Sequence, residues 1–164
     1  MIFVIVGMHY QGFERLVKKM DEIAGKISEK VVMQIGNTQY EPKNAEHFRF
    51  KDYEDTKKII RKARVIVCQG AMSAIDSLIL GIPVIIVPRS KEQKEVINDH
   101  QLIFAKKLEE KGLVKVVKDI DELENVILTF SQMNVRHITK NQNLITKLKN
   151  CIEKYSVGCS KVNV

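Results

Sequence analysis

The feature that most constrains this chain is a series of short strands that are apolar from end to end. Residues 2–6 (Ile2-Phe3-Val4-Ile5-Val6) are β-branched or aromatic throughout and stop at Gly7. Val31–Ile35 closes at Gly36-Asn37, Val65–Cys68 runs into Gln69-Gly70, and Val84–Val87 ends at Pro88. A strand covered on one face alternates apolar and polar side chains, so unbroken runs demand cover on both faces. The segments between them supply it. Phe13, Leu16, Val17, Met20, Ile23, Ala24 and Ile27 recur at helical spacing with charges between, which predicts an amphipathic helix. Tyr53–Ala63 directs Ile59 and Ile60 inward and Lys57, Lys58, Arg61 and Lys62 outward. Ser73–Leu80, closed by Gly81, and Asn98–Glu110, ended by Gly112, are further helices. A short alternating strand at His47–Phe50, a last strand at Val114–Val117 and a helix near Asp121–Phe130 complete the reading.

Buried strands alternating with helices specify a doubly wound parallel sheet, Rossmann-like α/β, with ligands at the carboxyl ends of the strands. The chain's 164 residues, 45% apolar, suffice for one such domain over residues 1–130. No apolar run reaches the ~18–20 residues needed to span a bilayer. The first strand follows Met1 directly, so no secretory leader is expected. Beyond the domain, Val135, Ile138, Ile145, Leu148, Ile152 and Tyr155 fall at three- and four-residue steps, with Lys140, Lys147, Lys149 and Lys154 off that stripe. Residues 131–155 therefore read as a basic amphipathic helix. It packs on its own domain, docks on a partner subunit or touches lipid. Residues 156–164 are expected to fray.

The formal charge is +7, and residues 131–164 carry six basic side chains against Glu153 alone. A near-neutral body with a basic tail points to an acidic surface for the tail. With 6% aromatics and no Trp, the body lacks the stacking residues of a nucleic-acid binder. Cys68, Cys151 and Cys159 are odd in number and without ligand spacing, which fits a reducing compartment and no metal site.

Candidate chemistry clusters at the strand ends. Gly70, Ala71, Met72 and Ser73 lie between a strand and a helix, where small residues and free N–H groups suit an anion. Ser73 serves equally as a plain helix cap. Asp76, one turn further on, has the chemistry to bind a ribose diol or simply to complement the helix dipole. Asn98-Asp99-His100-Gln101 offers four polar side chains in a row, to a hydroxyl-rich ligand or as a capping segment. Gly7, His9 and Gln11 follow the first strand toward the same crevice, whereas His47 and His137 read as surface residues. No GxGxxG or GxxxxGK[ST] is present, so a dinucleotide or P-loop site has no support.

Four segments, IFVIVGMHYQGFERLV, VVMQIGNTQYEP, VIVCQGAMSAIDSLILGIPVIIVPR and NDHQLIFAKKLEEKGLV, together resemble the C-terminal domain of glycosyltransferase family 28. Within it they are most similar to the small donor-binding subunits of two-part UDP-N-acetylglucosamine transferases and their exopolysaccharide counterparts. The resemblance implies the C-terminal half of a GT-B enzyme. It implies an inverting, metal-free sugar transfer, without a cofactor, from a UDP-sugar to a polyprenyl-diphosphate-linked acceptor. A membrane-anchored partner subunit would hold the acceptor, and the chain would work in the cytoplasm at the inner face of the membrane. By position Gly70 to Ser73 would face the donor diphosphate, Asp76 the ribose, and His100 and Gln101, beside Asp99, the sugar. Gly7, His9 and Gln11 would form the loop beneath the diphosphate. His9 is also the fallback candidate for the base.

The chain departs from the family pattern at four places. Met8 replaces a Thr, Cys68 a His, Met72 a Gly and Asp76 a Glu. These changes keep a second reading open, a family-derived subunit that binds a partner without turnover. The +7 charge alone supports a third, a nucleic-acid-binding module.

Overall fold

Alternate residues of the four inner strands feed two separate cores. The computed structural model describes residues 1–70, 72–89, 95 and 100–130, the side chains of His100 and Gln101 excepted. Six strands form one sheet: β1 (Ile2–Ile5), β2 (Val31–Gln34), β3 (Glu46–Phe48), β4 (Val65–Cys68), β5 (Val84–Ile86) and β6 (Lys115–Val116). Their order is β3-β2-β1-β4-β5-β6 and every pairing is parallel. Five helices return the chain between or after them: α1 (Glu14–Ala24), α2 (Tyr53–Lys62), α3 (Met72–Ile79), α4 (His100–Glu110) and α5 (Leu123–Thr129).

On one face Ile2, Val4, Met33, Val67 and Ile85 pack with Leu16, Val17 and Met20 of α1 and Leu123 and Ile127 of α5. On the other, Phe3, Ile5, Ile66 and Ile86 pack with Ile60 of α2, Ala74 and Leu78 of α3 and Ala105 and Leu108 of α4. This is the doubly wound α/β domain expected, and the two apolar faces explain why its strands show no alternation.

Element boundaries shift for local reasons. The first helix stops at Ala24, where Gly25 N–H bonds back to Asp21 O, short of the expected Ile27. The third strand is Glu46–Phe48 and not His47–Phe50, set by its register of Val32 on Glu46. Helix α3 begins at Met72, so Ser73 sits inside the first turn and is not the cap. The expected helix at 131–155 and fraying tail at 156–164 lie outside the described residues.

Polar bonds fix the long segment between β2 and β3 to α1. Buried Asp21 accepts from Tyr40 Oη (2.7 Å) and from the N–H groups of Lys43 and Asn44. Burial pushes the Asp21 pKa up, but these donors outweigh it and the net shift is down. Thr38 Oγ1 accepts from Phe13 N–H (3.0 Å), and Glu14 accepts from the N–H groups of Gln39 and Tyr40. At the carboxyl edge Gly36 has a φ of +52°, and a Cβ there would sit 2.4 Å from Gly7 O. At the opposite edge Arg64 Nε and Nη2 fork onto Glu29 at 3.0 and 2.7 Å. Arg64 is the main reason the Glu29 pKa lies at about 2.

Gly36→Ala must strain its backbone and displace a carbonyl. It should cost at least ~2 kcal/mol, read as a lower urea midpoint at unchanged slope. Glu29 has its folded pKa below its ordinary value of 4.5. Its stabilisation is therefore complete above that value and fades as pH falls toward about 2. Glu29→Gln should cost about 1 kcal/mol at neutral pH. Urea titrations should find the difference from the unaltered chain shrinking as the acid range is entered.

Candidate functional site

The chain leaves β1 toward β2 and β3, then crosses back through α2 to enter β4 on the other side of β1. Loops departing in opposite directions leave a crevice at the carboxyl ends of β1 and β4. Gly7 ends the first of these strands with φ +76°, and Gly70 follows the second with φ +121°. Both are conformations that L side chains resist, so glycine is required there by the backbone itself. Helix α3 opens two residues past Gly70, and its first-turn N–H groups have no partner within the helix.

One buried cation ties the rim together. Arg89, just past β5, is 5% exposed. It donates from Nη1 to Gly12 O (2.7 Å), from Nη2 to Gln11 O (3.2 Å) and from Nε to Gln69 Oε1. Its guanidinium also lies 4.6 Å from the centre of the Phe13 ring. Burial lowers the Arg89 pKa and nearby Glu95 opposes the shift; a guanidinium stays charged regardless. Arg15 of α1 adds a second brace, forking onto Glu95 at 3.0 and 2.9 Å and bonding Pro88 O. The loops after β1, β4 and β5 are thereby one unit.

On the α2–α3 flank, Asp76 accepts from Tyr53 Oη at 3.2 Å. Burial raises the Asp76 pKa, while Tyr53 and Lys57 pull the other way. Lys57 Nζ stands 4.2 Å from the centre of the Tyr53 ring. The rim carries exposed apolar side chains: Met8 at 79%, Tyr10 at 70% and Met72 at 52%. His9 is exposed. Its Nδ1 accepts from Gln11 N–H (3.2 Å), and its carbonyl accepts from Asn37 Nδ2 (3.0 Å). A neutral imidazole accepting at Nδ1 carries its proton on Nε2. Ser73 O is taken by Ser77 Oγ at 2.6 Å. Cys68 is buried in β4, and burial pushes its thiol up to about 12, so it is inert as a nucleophile.

Of the residues singled out in the sequence, Gly7, Gln11 and Gly70 lie on the loops that Arg89 joins or that border the crevice. Asp76 stands on the flanking helix with an unforeseen neighbour, Tyr53. Ala71 and Asp99 lie outside the described residues, and His100 and Gln101 open α4. Gln69, Arg89 and Tyr53 went unpredicted. No sequence pattern marked Arg89, because an arginine after a strand and its proline is ordinarily exposed. Among the described residues, no group of three or more His, Cys, Asp or Glu side chains is placed to hold a metal ion. Nor is any helix among them long and apolar enough to cross a membrane.

The family model for the glycosyltransferase family 28 C-terminal domain matches residues 1–155. The fold also recurs in solved structures. The glycotransferase of kitacinnamycin aligns with a TM-score of 0.69 at 18% identity, covering 90% of this chain and 39% of that one. MurG of Acinetobacter baumannii aligns at 0.58 with 19% identity, over 90% and 49%. The UDP-GlcNAc 2-epimerase of Neisseria meningitidis bound to UDP-GlcNAc aligns at 0.57 with 13% identity, over 93% and 43%. The chain thus spans less than half the length of each of these proteins. No curated protein sequence matches it. With the family model running through nearly the whole chain, the protein belongs to the glycosyltransferase family 28 C-terminal domain family, and its fold is that of the C-terminal half of a GT-B glycosyltransferase.

Proposed function

We propose that the crevice between β1 and β4 binds the nucleotide diphosphate of a UDP-sugar, UDP-N-acetylglucosamine or a related UDP-hexose. The chain then acts as the donor half of an inverting glycosyltransferase. The observation that carries this reading is the pair of positive-φ glycines, Gly7 and Gly70, at the switch point of a family 28 domain. Gly70 would bring its backbone close to a diphosphate, with the first turn of α3 beside it, while the space beside Gly7 holds the Gln69 amide. Ala71, Met72 and Ser73 continue that cradle. Asp76, braced by Tyr53, takes the ribose hydroxyls, and His100 and Gln101 at the start of α4, together with Asp99 before them in sequence, take the sugar. Residues 1–130 form the donor domain. Residues 131–155 dock on a membrane-anchored partner that holds a polyprenyl-diphosphate-linked acceptor. The likeness of four sequence segments to separate donor-binding subunits supports that division. The chain accordingly works at the cytoplasmic face of the membrane.

The chemistry asks little of this half beyond position and electrostatics. Negative charge grows on the departing UDP, and a preorganised donor aimed at such charge is worth roughly 3–4 kcal/mol. The bond from the anomeric carbon to the diphosphate oxygen breaks as the acceptor oxygen bonds from the opposite face. The acceptor hydroxyl gives its proton to a general base. His9 is a poor base as bonded, because its Nδ1 is already engaged by Gln11 N–H. It serves better as a donor to a phosphate or sugar oxygen, and the partner supplies the base.

The exposed Met8, Tyr10 and Met72 favour a second reading, in which the apolar rim has become a contact for a partner and turnover is lost. The two readings separate in a transfer assay with the partner present. Sugar transfer supports the first, whereas partner binding with bound but untransferred UDP-sugar supports the second.

Calorimetry on the full chain should detect UDP-N-acetylglucosamine and UDP. Asp76→Ala should weaken UDP and uridine alike, by on the order of tenfold, since both carry the ribose. Asp76→Glu should bind at least as well as the unaltered chain. Absence of binding by any nucleotide sugar, even with the partner added, would overturn the proposal.

A further inference from the structure

Gln69, directly after β4, has the orientation of its amide set by a neighbour. Its Oε1 accepts from Arg89 Nε. An arginine has donors only, so the flipped amide would set N–H against N–H, and the assignment follows from chemistry. The other end of the amide is thereby committed to the β1 side. Nε2 lies where a side chain at Gly7 would be, 2.8 Å from the position of a Cβ on that residue. The residue is half-buried, and among the described residues no group accepts a hydrogen bond from Nε2. Gly7 lacks a side chain, leaving that space to the amide.

Arg89 is nearly sealed from solvent and is locked by Gly12 O and Gln11 O. It holds the amide without needing to reorganise when a ligand arrives. A cation on the carbonyl oxygen also draws electron density through the amide, which makes Nε2–H a stronger donor.

We propose that Gln69 is a donor-binding residue. Its Nε2, turned across Gly7 by Arg89, hydrogen-bonds a phosphate oxygen of the nucleotide sugar, and Arg89 is the positioning residue behind it. This rests on reading the crevice as a nucleotide-sugar site. It also accounts for how the chain manages with Met8, which has no hydroxyl to offer: the donor comes from the β4 loop.

The test compares UDP with uridine by calorimetry on the full chain, with melting temperatures confirming that each variant is folded. Gln69→Met removes both amide groups and should weaken UDP by on the order of tenfold, leaving uridine within about twofold. Gln69→Glu separates ligand binding from mere bracing. Its carboxylate pairs with Arg89 and keeps the loops tied, but it turns an acceptor toward the phosphate. UDP should then bind more weakly than to Gln69→Met, with uridine again unchanged. UDP binding by Gln69→Glu equal to that of the unaltered chain would overturn the inference, as would parallel losses for UDP and uridine. Were the unaltered chain to bind UDP no more tightly than uridine, the reading of the crevice itself would fall, and this inference with it.

Discussion

A parallel sheet must send its chain back across one of its own faces after every strand, and the rest of this structure follows from that requirement. Every return except that from β2 to β3 is a helix, so both faces of the inner strands are covered and those strands are almost wholly apolar. Because β1 lies inside the sheet and not at its edge, the returns on its two sides diverge. The gap between them is built into the strand order. No side chain has to open it, and the residues around it are free to serve a ligand. The bonds that stabilise the domain without touching that gap lie elsewhere. Arg64 on Glu29 is at the amino edge, and Asp21 anchors the β2–β3 segment against α1.

The fold was legible because its determinants are local and repetitive. Ile2–Val6, Val65–Cys68 and Val84–Val87 each declare a doubly covered strand, and Leu16, Val17, Met20 and Ile23 declare the face of α1 that covers them. Gly7 and Gly70 were legible too, since a glycine at the end of such a strand has few other reasons to be there. The site's polar wiring was not. Arg89 reaches Gln11, Gly12 and Gln69 across sequence separations of 78, 77 and 20 residues, and no periodicity encodes a contact of that kind. Tyr53 meets Asp76 for the same reason, through the packing of α2 beside α3. Ser73 illustrates the reverse error. Its residue type suits a cap, but helix α3 starts one residue earlier and places it within the turn.

The departures from the family pattern look different once placed. Cys68 is a core residue of β4, its thiol sealed and protonated, so its chemistry is removed from the crevice altogether. Met72 sits at the first position of α3 with half its surface in solvent, and Met8 is more exposed still. Neither is part of the packed interior, so each marks the rim and not the floor. The family's hydroxyl and glycine positions thus become apolar at an exposed rim.

That replacement has an electrostatic consequence. A metal-free site for a diphosphate depends on donors that are already oriented, because each must act without the reorganisation that water would require. On the proposed reading the oriented groups would come from the backbone at Gly70 and from the assembly around Arg89. The guanidinium itself stays behind Gln69, spending its donors on Gln69, Gln11 and Gly12 oxygens. The oxygens that Arg89 bonds are neutral, and the Glu95 carboxylate nearby is held by Arg15, so the two guanidiniums outnumber the one anion in the loops they join. An anion in the crevice therefore meets a field fixed by the fold, while the surface above it is free to be apolar. On the proposed reading, electrostatic recognition at the floor and apolar contact at the rim would be carried by different residues, and either could change without dismantling the other.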